Sequence, residues 1–349
     1  MLLTSTLDAW NSCCKAEFEK PTQERKSATF IRVHDLDLTD DDRSRCSGDE
    51  GRSDVGSGRS GVVKRSDTLS IHGDGSGPIM SALVVVALRE ATDESSRWSP
   101  TGATDRILRK RANRSTGGRG VDEGVMGPWA NAASGRDVLV WSSKCTRGGH
   151  GSDYPVVKSR GLIPASARNV VELVQDSSRV KEYNKMSIGR EDELALTTSD
   201  GASSVHSLET KCPRLGVTGC AKVMSSKSQP PMTLKPLEFK TLYYARRLDG
   251  REDGVEIDGS AAAYVTVGRS AWENPDGTAA WSDNGSTRCE ILLSVNLVRD
   301  ISTQNGEEWC ELTLITHAVS PGIPIFVGKQ LGLVAAENYI KDIRAFFES

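Results

Sequence analysis

The clearest pattern lies in the last quarter of the chain, where apolar positions alternate with polar ones up to Pro324 and then switch to a helical spacing that continues to about Phe347. Such a helix, opened by a proline suited to its first turn, is roughly 36 Å long at ~1.5 Å per residue. Upstream, Leu234 to Tyr244, Ala263 to Trp272, Arg288 to Val298 and Trp309 to Val319 read as strands. Gly/Asp/Asn-rich loops separate them, at Asp249 to Gly259 and Asn274 to Ser286. Before these, Asp137 to Trp141 and Pro155 to Arg160 read as strands joined by the turn Cys145 to Asp153. Ser166 is a helix N-cap, followed by the stripe Ala167, Val170, Val171 and Val174, and Asp176 or Ser177 caps a short helix over Arg179 to Tyr183. Strands, small helices, antiparallel strands and a long final helix make an α+β chain.

Alternation assigns faces. Leu237, Phe239, Thr241 and Tyr243 share one side of their strand; so do Cys289, Ile291, Leu293 and Val295 on the next, and Cys310, Leu312 and Leu314 on the last. Along the final helix, Gly328, Gly332, Ala335, Ala336, Tyr339, Ile343 and Phe347 form one broad face, with Leu331, Val334 and Phe346 beside it. Gly332 and Ala335 are small where a helix lying flat on a sheet needs bulk, and that leaves room beneath it. Alternation reports burial alone, so a solid core and a hollow interior both fit. Thr241, Tyr243 and Tyr339 supply the hydroxyls for a polar anchor.

The chain up to about Asp122 has another texture. Runs such as Asp40-Asp41-Asp42-Arg43-Ser44 and Gly56-Ser57-Gly58-Arg59-Ser60-Gly61 offer little to bury and cannot offset the entropy of ordering. Residues 1–122 are therefore expected to be a largely disordered, low-complexity regulatory segment, with residues 123–349 the folded domain. Two short stretches are exceptions to this expectation: the helical stripe Leu7, Trp10, Cys14 and Phe18, and the apolar run Ile79 to Leu88. The basic cluster Arg106, Arg109, Lys110, Arg111 and Arg114 has three readings, as a contact for anionic headgroups, a nuclear import signal or a solvated charge run.

Composition narrows the function classes. A net charge of -3 supplies no global pull toward nucleic acid. Eight scattered cysteines lack the density of a disulfide scaffold and read as reduced thiols. The run Ile79 to Leu88 is about half of the ~20 residues a membrane span needs, and Asp8 and Trp10 interrupt any leader. These features predict a cytoplasmic protein without a transmembrane segment, able to sit at the periphery of membranes. The turn Gly73 to Pro78 has proline at the third glycine of a dinucleotide fingerprint, and no nucleophile elbow, phosphate loop or zinc spacing occurs. No cofactor and no metal are expected.

From about Val125 to Ser349 the order of elements and several short motifs resemble the START domain, the lipid-transfer family related to steroidogenic acute regulatory protein. The carriers are Lys158-Ser159-Arg160-Gly161-Leu162-Ile163-Pro164-Ala165-Ser166, Asp176-Ser-Ser-Arg179 with Glu182-Tyr183-Asn184, Arg288-Cys289-Glu290, and the His317 to Gly322 turn. The resemblance implies a helix-grip (START/Bet v 1-like) fold, a curved antiparallel sheet with the C-terminal helix over a hydrophobic cavity, which binds and transfers or senses a lipid without catalysis. Sterol, phospholipid, ceramide and fatty acid all fit, and transient membrane contact follows. The implied lining is Leu237, Phe239, Thr241, Tyr243, Cys289, Ile291, Leu293, Leu312, Leu314, Ala335, Tyr339 and Ile343. Where the family tends to carry Arg-Asp-Phe this chain has Leu237-Glu238-Phe239, which weakens sterol-type anchoring. The turn Gly322-Ile323-Pro324 is one residue shorter than the family's. The related scaffold also hosts hydrolases and cyclases; the titratable candidates for that reading are Glu238, Glu290 and His317.

Overall fold

The computed structural model describes residues 76–95, 97–115, 136–145, 153–196, 208–209, 211–212, 217–231, 233–248, 251–252, 255–256, 262–270, 285–301, 307–321 and 323–349. The stripe Leu7 to Phe18 and most of the loop Asn274 to Ser286 lie outside the described residues. Eight strands form the body of one sheet: β1 Val138–Lys144, β2 Pro155–Ile163, β3 Ser187–Ala195, β4 Cys220–Ser228, β5 Leu237–Leu248, β6 Ala263–Ser270, β7 Glu290–Ile301 and β8 Trp309–Val319. They pair antiparallel in the order β1-β2-β8-β7-β6-β5-β4-β3. Ser99–Pro100 extends the β1 edge and Thr287–Arg288 adds a short parallel piece beside β5. The sheet is curved and open, and this is the helix-grip α+β architecture.

Helices cover both faces. On the inner face lie α3 (Ala167–Gln175), α4 (Val180–Tyr183) and α5 (Ile325–Glu348). Ser166 caps α3 by accepting a hydrogen bond from the Asn169 amide at 3.3 Å, which satisfies one of the free N–H groups of the first turn. Asp176 caps the single 3₁₀ turn before α4 in the same way, at 2.9 Å from the Ser178 amide. The C-terminal half of α5 is fixed: Ala336, Ile340, Ile343 and Arg344 are buried, and Arg344 donates to the Leu162 and Arg136 carbonyls at 2.9 and 2.6 Å. Gly161 on β2 permits this approach, because a Cβ there would stand 2.8 Å from Ile340 Cγ2.

The outer face is covered by a helix from the segment expected to be disordered. Two helices precede the sheet, α1 (Ser76–Thr92) and α2 (Gly102–Ser115). Met80, Leu83, Val84, Ala87, Leu88 and Ala91 of α1 pack against Val223, Leu242, Val265, Val267, Val295 and Ile315 of the sheet. Arg160 donates to the Ala91 carbonyl and Lys158 to the Asp93 carbonyl, so β2 side chains cap the C-terminal end of α1. Thr104 of α2 accepts a hydrogen bond from the Val140 amide at 2.7 Å. Residues 76–115 are thus part of the folded body rather than the regulatory segment, and the apolar run Ile79 to Leu88 is its third layer. Its extent was hidden because polar sequence flanks the run on both sides, whereas within the run consecutive residues such as Ala82, Leu83 and Val84 are all buried.

Candidate functional site

The inner face is solid at one end and hollow at the other. Near α3, Val170, Val171 and Val174 pack against Val298, Cys310, Leu312, Ile340 and Ile343 in one continuous core. Toward the other end, beneath the N-terminal half of α5, a cavity of about 680 Å³ opens, within the ~300–1,000 Å³ of small-molecule sites. Small residues account for it. Gly328, Gly332 and Ala335 line it from α5, and at Gly332 the helix comes close enough to the wall that a Cβ would touch Val157 at 3.4 Å.

Of the expected lining, Leu237, Phe239 and Leu314 on the strands and Ala335 and Tyr339 on α5 border this space. Thr241 and Tyr243 share the inner side of β5 but sit beyond the cavity wall. Tyr243 packs in the inner core with the Lys222 ammonium 5.7 Å from its ring centroid. Leu312 and Ile343 are on the expected side but belong to the solid end. Cys289 lies just before β7, its amide donating to the Glu238 carbonyl at 2.9 Å, and burial pushes its thiol up to about 11.

One strand was misassigned. On β7 the pairing with β8 shifts between Ile291 and Leu293, a bulge at Leu292. An extra residue reverses the side on which every later side chain points. Ile291 stands opposite Ala318, a lining residue, whereas Leu293 and Val295 pack outward under α1. The residues of β7 that reach the cavity are Ser294 and Asn296, joined by Thr316 of β8. Their signal in the sequence is the polar pair Ser294 and Asn296, two apart in a strand that is otherwise apolar.

Electrostatically the lining is sparse. Its charged members are Lys185 and Asp342, ion-paired at 3.0 Å across the gap between the α4–β3 turn and α5, with the Lys185 side chain 79% exposed. Tyr339 meets the Tyr183 ring edge-on at 5.8 Å between centroids. Burial raises the Tyr339 and Tyr243 hydroxyls well above their ordinary range, so both stay protonated at neutral pH. Glu238, Glu290 and His317 are absent from the lining. His317 sits opposite Val156 and Leu293, whose side chains pack outward. No cluster among the described residues could hold a metal ion. No described helix is long and apolar enough to cross a membrane. Cys220, Cys289 and Cys310 are free, buried thiols.

No family model matches the sequence, and no curated protein matches it. Solved structures do. The chain is similar to human StAR-related lipid transfer protein 5, with a TM-score of 0.48 and 11% identity over 78% of this chain and 97% of that one. It is similar to human STARD10 at TM-score 0.46 and 15% identity, over 75% of this chain and 76% of that one. A Streptomyces aromatase/cyclase matches at TM-score 0.28 and 12% identity, over 55% of this chain and 91% of that one.

Proposed function

We propose that this protein binds one lipid in the cavity beneath α5 and carries it between membranes without catalysing a reaction. The observation that carries this reading is the cavity itself: about 680 Å³ of space left under α5 while the other end of the same face is close-packed. Burial supplies the affinity. At ~0.8 kcal/mol per methylene, an acyl or alkyl chain of about sixteen carbons gains ~13 kcal/mol, which leaves a micromolar complex after about 5 kcal/mol of lost translational freedom.

Contact with a membrane is supported by the rim. The exposed large apolar side chains include Leu234 at 83% and Phe326 at 70%, with Ile188 and Ile325 also open. All stand within three residues of lining positions Met186, Pro231 and Ile323. Exposed Lys185, Lys235 and Lys329 lie among them, and this mixture of apolar and cationic side chains suits an anionic lipid surface. The enzyme reading needs a pair of titratable groups facing the ligand, and among the described residues the charged lining is the Lys185–Asp342 pair at the mouth.

Native mass spectrometry of the full chain purified from cells, with extraction of bound lipid, tests binding; transfer of a fluorescent lipid between vesicles tests carriage. A stoichiometric lipid and vesicle-to-vesicle transfer are expected. A folded chain that holds nothing and takes nothing up overturns the proposal, and uptake without transfer assigns the cavity to sensing.

A further inference from the structure

Asn296 is 6% exposed and lines the cavity from β7. Its amide nitrogen donates to Thr266 Oγ1 on β6 at 2.8 Å, while its Oδ1 is buried with no hydrogen-bond partner. A buried amide oxygen left unpaired is costly, and native proteins rarely keep one without a use. Around it the inner wall is polar by design of the register: Ser294 is on the same side of the same strand, and Thr316 is the cross-strand partner of Ser294. The interior end of the cavity therefore offers one free acceptor flanked by hydroxyls that can donate. Among the described residues this interior end carries no charge, because the charged lining residues Lys185 and Asp342 are joined at the mouth.

On the reading that the cavity binds a lipid, we propose that Asn296 is its polar anchor and that the preferred ligand is a neutral alcohol bound head inward. The ligand hydroxyl donates to Asn296 Oδ1 and accepts from Ser294 or Thr316. A carboxylate is disfavoured at this depth, since burying an ion without a countercharge costs far more than burying a hydroxyl; a fatty acid would have to hold its head at Lys185. Ligand class and ligand direction thus follow from the same residue.

The test is displacement of a fluorescent lipid from the full chain by hexadecanol, by its methyl ether and by hexadecanoic acid. The ether keeps the chain and the oxygen and removes the donor. The alcohol should bind about tenfold more tightly than the ether, the worth of one buried hydrogen bond. Asn296→Leu, which keeps the branched shape and removes the acceptor, should erase that difference, and Ser294→Ala should lessen it. Equal affinity of alcohol and ether for the native chain overturns the anchor and leaves the cavity reading standing. An acid bound as tightly as the alcohol, and lost in Asn296→Leu, also overturns it. If none of the compounds displaces the probe, or the probe itself does not bind, the fault lies with the cavity reading. Because the alcohol-to-ether ratio is measured on the native chain, a variant that fails to fold does not remove the test.

Discussion

The third layer of the fold gives a sharp test, because it comes from a short apolar run set inside a segment whose composition is otherwise that of a disordered chain. Leu83 and Leu88 of α1 are fully buried against the outer face of the sheet. Truncating a buried leucine to alanine removes its transfer free energy and leaves a void, at ~2–5 kcal/mol each. Each single variant should therefore melt well below the parent. For a folded body of this size, at about 2–4 °C per kcal/mol, the loss is roughly 5–15 °C. The double variant Leu83→Ala/Leu88→Ala loses ~4–10 kcal/mol, comparable to the ~5–15 kcal/mol that holds a typical protein folded. A fragment beginning at residue 123 should bind hydrophobic dyes and aggregate, because Val265, Val267, Val295 and Ile315 would then face water, whereas one beginning at residue 70 should melt like the full chain. The assay is circular dichroism against temperature, with size-exclusion chromatography on the fragments. The single leucine variants should still take up lipid at low temperature, since the cavity lies on the opposite face. Parent-like melting in both leucine variants and in the residue-123 fragment would refute the packing of α1 on the sheet.

Three further outcomes follow from the site and its surroundings. Ala335→Trp should fill the cavity and abolish lipid uptake with little change in melting temperature; uptake at the parent level would sink this placement of the site. Asp342→Asn breaks the ion pair with Lys185, so lipid release in a stopped-flow assay should quicken severalfold at low salt and converge with the parent at ~1 M salt, where such pairs are screened; identical rates at both salts count against a role for the pair. Lys158, pushed down to about 8 by burial and by neighbouring Arg160, titrates in the folded state below its ordinary 10.5. Between those values the unfolded chain holds the extra proton, so this group adds stability as pH rises from about 8 toward 10.5. Compared with Lys158→Met by denaturant melts at pH 7, 8.5 and 10, the parent should gain ground with pH, and a constant gap would show that the lysine keeps its ordinary value.

What the sequence makes legible depends on whether local rules act alone. The Ser166 cap, the strand Trp309 to Val319 and the helix after Pro324 are visible because local chemistry and tertiary packing demand the same thing there. Leu293 was misplaced because alternation was carried through a bulge, and nothing in Glu290 to Val298 marks Leu292 as the extra residue. β3 and β4 escaped notice for a different reason. β3 is an edge strand whose Arg190, Glu191, Asp192 and Glu193 blur any apolar alternation, as charges on sheet edges commonly do. Its partner β4 buries Lys222, which is held by Asp192 at 2.8 Å and by the Gln175 carbonyl at 2.7 Å. A lysine that pays its desolvation through tertiary partners reads as surface in a one-dimensional pattern. Asn296 was missed through the same bulge that moved Leu293: a register one residue off exchanges an apolar wall for a polar one.

The uneven seating of α5 has a mechanical consequence. From Ala336 onward the helix is clamped, by Ile340 against Gly161, by Arg344 on two carbonyls, and by Ser159 Oγ donating to the Ala336 carbonyl at 3.0 Å. Ahead of Ala336 it has no fully buried residue: Leu333 packs against the edge of the core, and the rest lies over the cavity or faces outward. A rod held at one end and lightly seated at the other is a lever with its fulcrum where Ser159 holds Ala336. At ~1.5 Å per residue the arm from Ile325 to Ala336 is about 16 Å, so a tilt of about 10° lifts the tip by about 3 Å. The fulcrum lies in the solid half of the inner core, so a stroke of this kind would widen the cavity while the packing that keeps the protein folded stays in place.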